Sequence, residues 1–285
     1  MPASTGYLIF VRGGVPPPAV PAQGRGVGRS LGDPRRDKFK SLSRGPAVEL
    51  GSRDRPLLVG HRANTLAKLS RYLRQGVDAV EIDLYEGFID HGPDSIKPAT
   101  LREAIFRRIA ALGNGEGQSA EEFLSGVGGR IPLVLDLKSP RLTEQMIALV
   151  EAEAERGLIV TSKFHPLLRE LSRRLRGATI LASIQCRPVD PLAIARSAGT
   201  RGLAVEVGFV DAELVQTLHS EEMLVAAWTV NDADQARLLV ELGVDMIVTE
   251  RPDLIGPVVR GEAPKRSIGR EIYRRLTSPR QQEAT

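Results

Sequence analysis

The sequence predicts a (β/α)₈ TIM barrel, compact and without a large insertion subdomain, on three observations. From Pro56 onward, short runs rich in Val, Ile and Leu alternate with polar turns and segments of helical period. The alternation supplies eight strand candidates in roughly 200 residues, the lower end of the size range for such barrels. Polar and charged residues then fall at or just past the C-terminal ends of those runs: His61, Glu81 and Asp83, Asp136 and Lys138, Lys163, and Trp228. A doubly wound open sheet would also alternate strands and helices, but it would spread these residues along an edge. A barrel gathers them at one mouth.

The strands are read in order at Leu57–Gly60, Ala79–Leu84, Leu133–Leu137, Ile159–Thr161, Thr179–Ser183, Gly202–Val205, Leu224–Thr229 and Met246–Thr249. Between the first two, Leu66, Leu69 and Leu73 recur with helical spacing and Gly76 supplies a stop. Before the last, Asp232 with Gln235 reads as a capping box opening a helix over Ala233–Leu242, ended by Gly243.

The barrel is expected to span residues 56–258, between a leader at 1–55 and a basic, polar tail at 259–285 in which Gly269–Leu276 is the candidate for a terminal helix. The leader is rich in Pro, Gly, Arg and Ser and reads as disordered. An organelle transit peptide or an over-extended start are the other readings of it. It carries ten basic residues against four acids, whereas the rest carries 29 against 31. The basic pI of 9.4 therefore belongs to the leader, and a nucleic-acid partner is not expected. No apolar run reaches the eighteen or so residues of a membrane span. The single Cys186 excludes an internal disulfide and fits a reducing, cytoplasmic compartment. No oligomeric state is assigned.

The chemistry starts from Val80-Glu81-Ile82-Asp83-Leu84. A strand's side-chain period of two sets Glu81 and Asp83 on one face. Two carboxylates side by side on an apolar strand repel each other, and a divalent cation resolves that conflict. On Ile131–Lys138 the same period pairs Asp136 with Lys138, and a barrel would bring Asp136 in as a third oxygen ligand. Three carboxylates without a cysteine or histidine cluster favour a hard ion, Mg²⁺ or Ca²⁺, over zinc. Lys138 would then neutralise a phosphate oxygen. His61 and His91, flanking such an ion, would suit acid–base cleavage of a phosphodiester. Taken singly, each residue has a structural reading: a surface ion pair, a hydrogen-bonded histidine, a solvated lysine. The readings converge because the residues recur together at three strand ends. Trp228, the only tryptophan, is expected at the mouth. His165 and His219 are left outside the site.

From Pro56 to Pro252 the chain resembles the glycerophosphodiester phosphodiesterase family. The resemblance rests on His61-Arg62, Asn64-Thr65-Leu66, Gly76 through Asp83, Pro98 through Ala104, Asp136-Leu137-Lys138, Trp228 through Asn231 and Gly243 through Thr249, in the family's order. It implies one divalent ion on Glu81, Asp83 and Asp136, His61 and His91 as the catalytic pair, and substrate contacts from Arg62 and Lys138. It also implies hydrolysis of a glycerophosphodiester to glycerol 3-phosphate and an alcohol. Three departures stand out. The loop between His-Arg and Asn-Thr is reduced to Ala63, His91 follows Glu81 by only ten residues and precedes Gly92, and Asp136 stands where Glu is common.

The compact Gly60-His61-Arg62-Ala63-Asn64 opening and His91-Gly92 also look like the sphingomyelinase D/phospholipase D branch. A lysophospholipase D-like lipid phosphodiesterase is therefore the alternative reading, with Phe88, Ile89 and Phe209 as an apolar rim. A barrel without turnover is the non-enzyme reading.

Overall fold

The computed structural model describes residues 54–90, 118–154 and 156–262, all within one compact unit. The leader short of Asp54, residues 91–117 with His91 and the Pro98–Ala104 segment, and the tail from 263 lie outside the described residues. Among the described residues there are nine strands. They are β1 (Leu57–Gly60), β2 (Ala79–Tyr85), β3 (Phe88–Ile89), β4 (Leu133–Leu137), β5 (Ile159–Ser162), β6 (Thr179–Ile184), β7 (Gly202–Glu206), β8 (Leu224–Trp228) and β9 (Met246–Thr249). The eight helices are α1 (Leu66–Arg74), α2 (Ala120–Val127), α3 (Glu144–Ala154), α4 (His165–Arg174), α5 (Pro191–Ala198), α6 (Ala212–His219), α7 (Ala233–Leu242) and α8 (Pro252–Val259).

Eight strands pair in parallel, and the β1–β2 and β1–β9 pairings close them into a barrel. Closure pairs each of these eight strands on both sides, and helices cover the outside. All eight predicted strands are present, with ends shifted by no more than one residue. The sequence reading missed β3, a two-residue strand that turns back antiparallel on the end of β2. Two residues are too few to show a period.

The interior is layered, because the side-chain period is two in every strand. An apolar layer of Val59, Ala79, Val134, Ile159, Leu181, Ala204, Ala226 and Val248 plugs the centre. Two residues further along the same strands stand His61, Glu81, Asp136, Thr161, Ser183, Glu206, Trp228 and Glu250. One period further come Asp83, Lys138, Lys163 and Gln185. The apolar layer is therefore the floor of the mouth, and the polar layers are its wall.

Local choices hold this geometry. A Cβ on Gly60 would lie 2.3 Å from the Tyr72 ring, so only glycine lets α1 seat on β1. Seated there, the Tyr72 hydroxyl donates to the His61 carbonyl at 3.0 Å and fixes the backbone of that histidine. Thr65 caps α1 by accepting from the Lys68 N–H. The predicted face of α1 is corrected: Leu69 and Tyr72 are buried, while Leu66 is largely exposed and leans toward Gly126 of α2. On α7 the prediction matches, with Asp232 accepting from the Gln235 N–H and Gly243 in the left-handed region at φ 78°.

Candidate active site at the barrel mouth

β1, β2 and β4 are adjacent in the barrel, so the residues at their C-terminal ends meet. β2 and β4 pair with Asp83 opposite Asp136. As a result, carboxylate oxygens of Glu81, Asp83 and Asp136 lie within 4.8 Å of one another. Glu81 and Asp83 are buried, at 4% and 0% exposure. Asp83 is held by Asn64, whose Nδ2 donates to Asp83 Oδ2 at 2.9 Å while its Oδ1 accepts from the Asp83 backbone N–H at 3.0 Å. Asp136 accepts from Thr161 Oγ1 at 3.0 Å. Glu81 accepts from the Arg62 N–H at 2.6 Å. That bond needs Arg62 in the left-handed region, at φ 53°, an uncommon conformation for a side-chain-bearing residue.

The Lys138 ammonium donates to Asp136 and sits 2.9 Å from Asp83 Oδ1. Burial works against its charge, but Asp136, Asp83 and Glu81 outweigh burial and hold its pKa above the ordinary lysine value. Glu81 is pushed well above the usual carboxylate range, first by burial and then by Asp83 and Asp136. Three carboxylates face the Lys138 ammonium and, at 3.9 Å from Asp83 Oδ2, the Arg62 guanidinium, so the ionised trio outnumbers its cations at a buried spot. The donors are all oxygens, and this set fits a hard divalent ion held by Glu81, Asp83 and Asp136. An ion there would also remove the repulsion that raises Glu81.

His61 stands at the side of this cluster. Its Nε2 is 3.8 Å from Glu81 Oε2, and its Nδ1 is 3.3 Å from Glu250 Oε1. Burial lowers its pKa to about 4, with Arg62 and Lys138 adding to the effect and Asp83 and Glu250 opposing it. The imidazole is therefore neutral at neutral pH. A proton on Nδ1, facing Glu250, leaves Nε2 as an acceptor beside the acidic cluster.

The rest of the wall comes from β5, β6 and β8. Lys163 donates to Gln185 Oε1 at 2.9 Å and stands over the Trp228 ring, 5.2 Å from its centroid. The Trp228 Nε1–H is buried with no hydrogen-bond partner among the described residues. These groups line a cavity of about 190 Å³ together with His61, Arg62, Glu81, Asp136 and Lys138.

Of the residues proposed from sequence, His61, Arg62, Glu81, Asp83, Asp136, Lys138 and Trp228 thus meet at one mouth, while His91 lies outside the described residues. Lys138 faces the carboxylates of Asp83 and Asp136. His165 starts α4 and its Nε2 meets the Ser183 carbonyl at 3.0 Å. His219 meets Asp245 on the surface. Glu250, Asn64 and Thr161 were not given roles in advance. Glu250 had a findable signal, since it follows β9 by one residue and continues the inward period from Val248.

A family model described as the glycerophosphoryl diester phosphodiesterase family matches residues 144–254, the half of the barrel that includes Trp228 and Glu250. The chain is 26% identical over 223 residues to a glycerophosphodiester phosphodiesterase of Arabidopsis thaliana, covering 67% of each chain. It is 25% identical over 238 residues to a glycerophosphodiester phosphodiesterase of Caldanaerobacter subterraneus, covering 72% of this chain and 98% of the relative. Its fold is that of an Oleispira antarctica phosphodiesterase solved in complex with the product sn-glycerol-3-phosphate. The TM-score is 0.57 at 20% identity, over 72% of this chain and 97% of that one. A glycerophosphodiester phosphodiesterase of Thermotoga maritima gives a TM-score of 0.55 at 19% identity, over 71% and 98%.

Proposed function

We propose that this chain, a member of the glycerophosphodiester phosphodiesterase family, hydrolyses glycerophosphodiesters to glycerol 3-phosphate and a free alcohol. The observation that carries the reading is the oxygen-only trio of Glu81, Asp83 and Asp136 packed beside a neutral His61. When bound, a divalent ion, Mg²⁺ or Ca²⁺ by the hardness of the donors, supplies electrostatic stabilisation to the phosphate oxygens. Arg62 adds positive charge at the same mouth, and Lys138 keeps the carboxylates in register. His61 Nε2 accepts the proton of the attacking hydroxyl as that oxygen bonds to phosphorus and the phosphorus–oxygen bond to the alcohol breaks, with the Glu250 carboxylate 3.3 Å from Nδ1 on the other side of the ring. His91 is the second histidine of this proposal, returning a proton to the leaving alkoxide. Water supplies the hydrogen and hydroxyl of the overall hydrolysis.

The test is ³¹P NMR of glycerophosphoglycerol incubated with the purified full chain and Mg²⁺. The reading expects the diester signal to be replaced by that of glycerol 3-phosphate. A diester that persists under these conditions sinks it.

A lysophospholipid substrate is the second reading, and exposed apolar side chains favour it. Phe88 and Phe209 are each 37% exposed and Val189 is wholly exposed, on segments after β2, β7 and β6 at the mouth end of the barrel. Ile89 is corrected out of that rim, since it is fully buried. No helix among the described residues is long and apolar enough to cross a membrane.

A further inference from the structure

We infer that Lys163 and Trp228 form a head-group selector that admits polyol or anionic alcohols and turns away quaternary ammonium groups. The inference rests on the phosphodiesterase reading above and specifies its substrate class. Lys163 follows β5 and Trp228 ends β8, three strands apart around the barrel, yet their side chains meet at 5.2 Å. The pair therefore reaches over the mouth from β8 to β5, the strand next to β4 and its Asp136. Both line the one cavity that holds His61, Glu81 and Asp136, so the alcohol part of a bound diester passes beside them.

An aromatic face at such a mouth is the natural seat for a choline-like cation, which binds rings through their negative π-face. Here that face is taken. The Lys163 ammonium lies over it, held from its other side by Gln185 Oε1 at 2.9 Å. A quaternary ammonium would have to displace a covalently tethered cation and then remain beside it, with no N–H of its own to engage Gln185. Hydroxyls and anionic oxygens meet the opposite situation. They accept from the Lys163 ammonium.

The test compares glycerophosphoglycerol with glycerophosphocholine on the full chain with Mg²⁺, for the unaltered protein, Lys163→Met and Lys163→Arg. One screened charge contact sets the scale, so the unaltered protein should prefer glycerophosphoglycerol by about tenfold in kcat/KM. Lys163→Met should narrow the ratio to about twofold, and Lys163→Arg should keep it. A preference for glycerophosphocholine in the unaltered protein, or a ratio unmoved in Lys163→Met, overturns the selector.

A second readout is independent of turnover, because Trp228 is the only tryptophan and its fluorescence reports on the ring alone. Choline chloride, titrated against a sodium chloride control, should leave the unaltered protein unchanged and shift Lys163→Met saturably. If neither diester is cleaved but choline separates the two proteins, the selector stands and the hydrolytic reading falls. If choline shifts both proteins alike, or neither, the selector falls whatever the activity.

Discussion

Asn64 and Asp83 exchange two hydrogen bonds, amide to carboxylate at 2.9 Å and backbone N–H to amide oxygen at 3.0 Å. Both side chains are buried, and β1 is thereby tied to β2 at the point where the acidic cluster forms. A pair of this kind orients a ligand oxygen before any ion arrives. Asn64→Ala should weaken Mn²⁺ binding about 10- to 100-fold, the usual cost of losing a ligand's supporting partner. It should also lower stability by about 1–3 kcal/mol, because Asp83 is left buried and short of a donor. Metal titration and thermal melts of the same sample check both. Unchanged Mn²⁺ affinity would remove Asn64 from this role.

Glu250 Oε1 lies 3.3 Å from His61 Nδ1 without a hydrogen bond between them, and the Glu250 backbone N–H is held by Asn231 Oδ1 at 2.9 Å. Glu250 contributes geometry more than burial, since its side chain is 43% exposed. His61→Ala should lower kcat about 10²–10⁴-fold, the range for losing a positioned acid–base group. Glu250→Gln should give a smaller loss in kcat with KM nearly unchanged, because the ring stays but its orientation and tautomer are less well fixed. Steady-state kinetics on the two variants decide this. A Glu250→Gln enzyme indistinguishable from the parent would leave His61 to be positioned by Tyr72 alone.

The raised pKa of Glu81 predicts how metal binding depends on pH. Burial comes first among its causes, then Asp83 and Asp136, and all of them favour the protonated form. Without metal, ionising Glu81 as pH rises above the unfolded-chain value of about 4.3 therefore costs stability. A bound cation reverses that cost by displacing the proton. The gain in Tm from saturating Mg²⁺ should thus be larger at pH 8 than at pH 5.5, and EDTA should abolish it at both. Glu81→Gln should melt higher than the parent in EDTA and gain little from Mg²⁺.

Asp211 gives a pH prediction away from the site. It caps α6 by accepting from the Leu214 N–H at 2.7 Å and pairs with Arg187 at 2.8 Å. Burial pushes its pKa up, but the bonds from Arg187 and the α6 backbone outweigh it and the net shift is downward. A carboxylate depressed in the folded state stabilises above its unfolded value, and that contribution is lost as pH falls through the folded one. Asp211→Ala should cost about 1 kcal/mol at pH 7, the worth of a helix cap. The difference should shrink as pH falls below the unfolded value of about 3.9 and on through the lower folded one. Melts at pH 7 and pH 2.5 compare the two, and a constant difference would contradict the assignment.

The barrel was legible because each buried strand announced itself as a Val/Ile/Leu run, with a polar residue where the run left the core. That rule found Glu81, Asp83, Asp136 and Lys138, since each obeys the period of two within a single strand. It did not find the contacts made by barrel closure. His61 and Glu250 meet because β1 pairs with β9, a relationship between opposite ends of the domain that no local pattern encodes. The Lys163–Trp228 contact was invisible for the same reason: it crosses the mouth between strands that do not pair. Lys138 was placed at the right strand end, but its ion pairs with the carboxylates were not read. Spacing puts it over the carboxylates' face, and only the β2–β4 register, with Asp83 opposite Asp136, shows that its ammonium falls between them.

The central claim is that the carboxylate trio and His61 work together on a phosphodiester. The direct measurement is the rate of glycerophosphoglycerol hydrolysis by EDTA-stripped protein as Mg²⁺ or Mn²⁺ is returned, with His61→Ala and Glu81→Gln run alongside. The account predicts no turnover without metal, saturable recovery in the parent, and a loss of at least about 100-fold in kcat for His61→Ala at saturating metal. Turnover that persists in EDTA, or that is undiminished in His61→Ala, would contradict it.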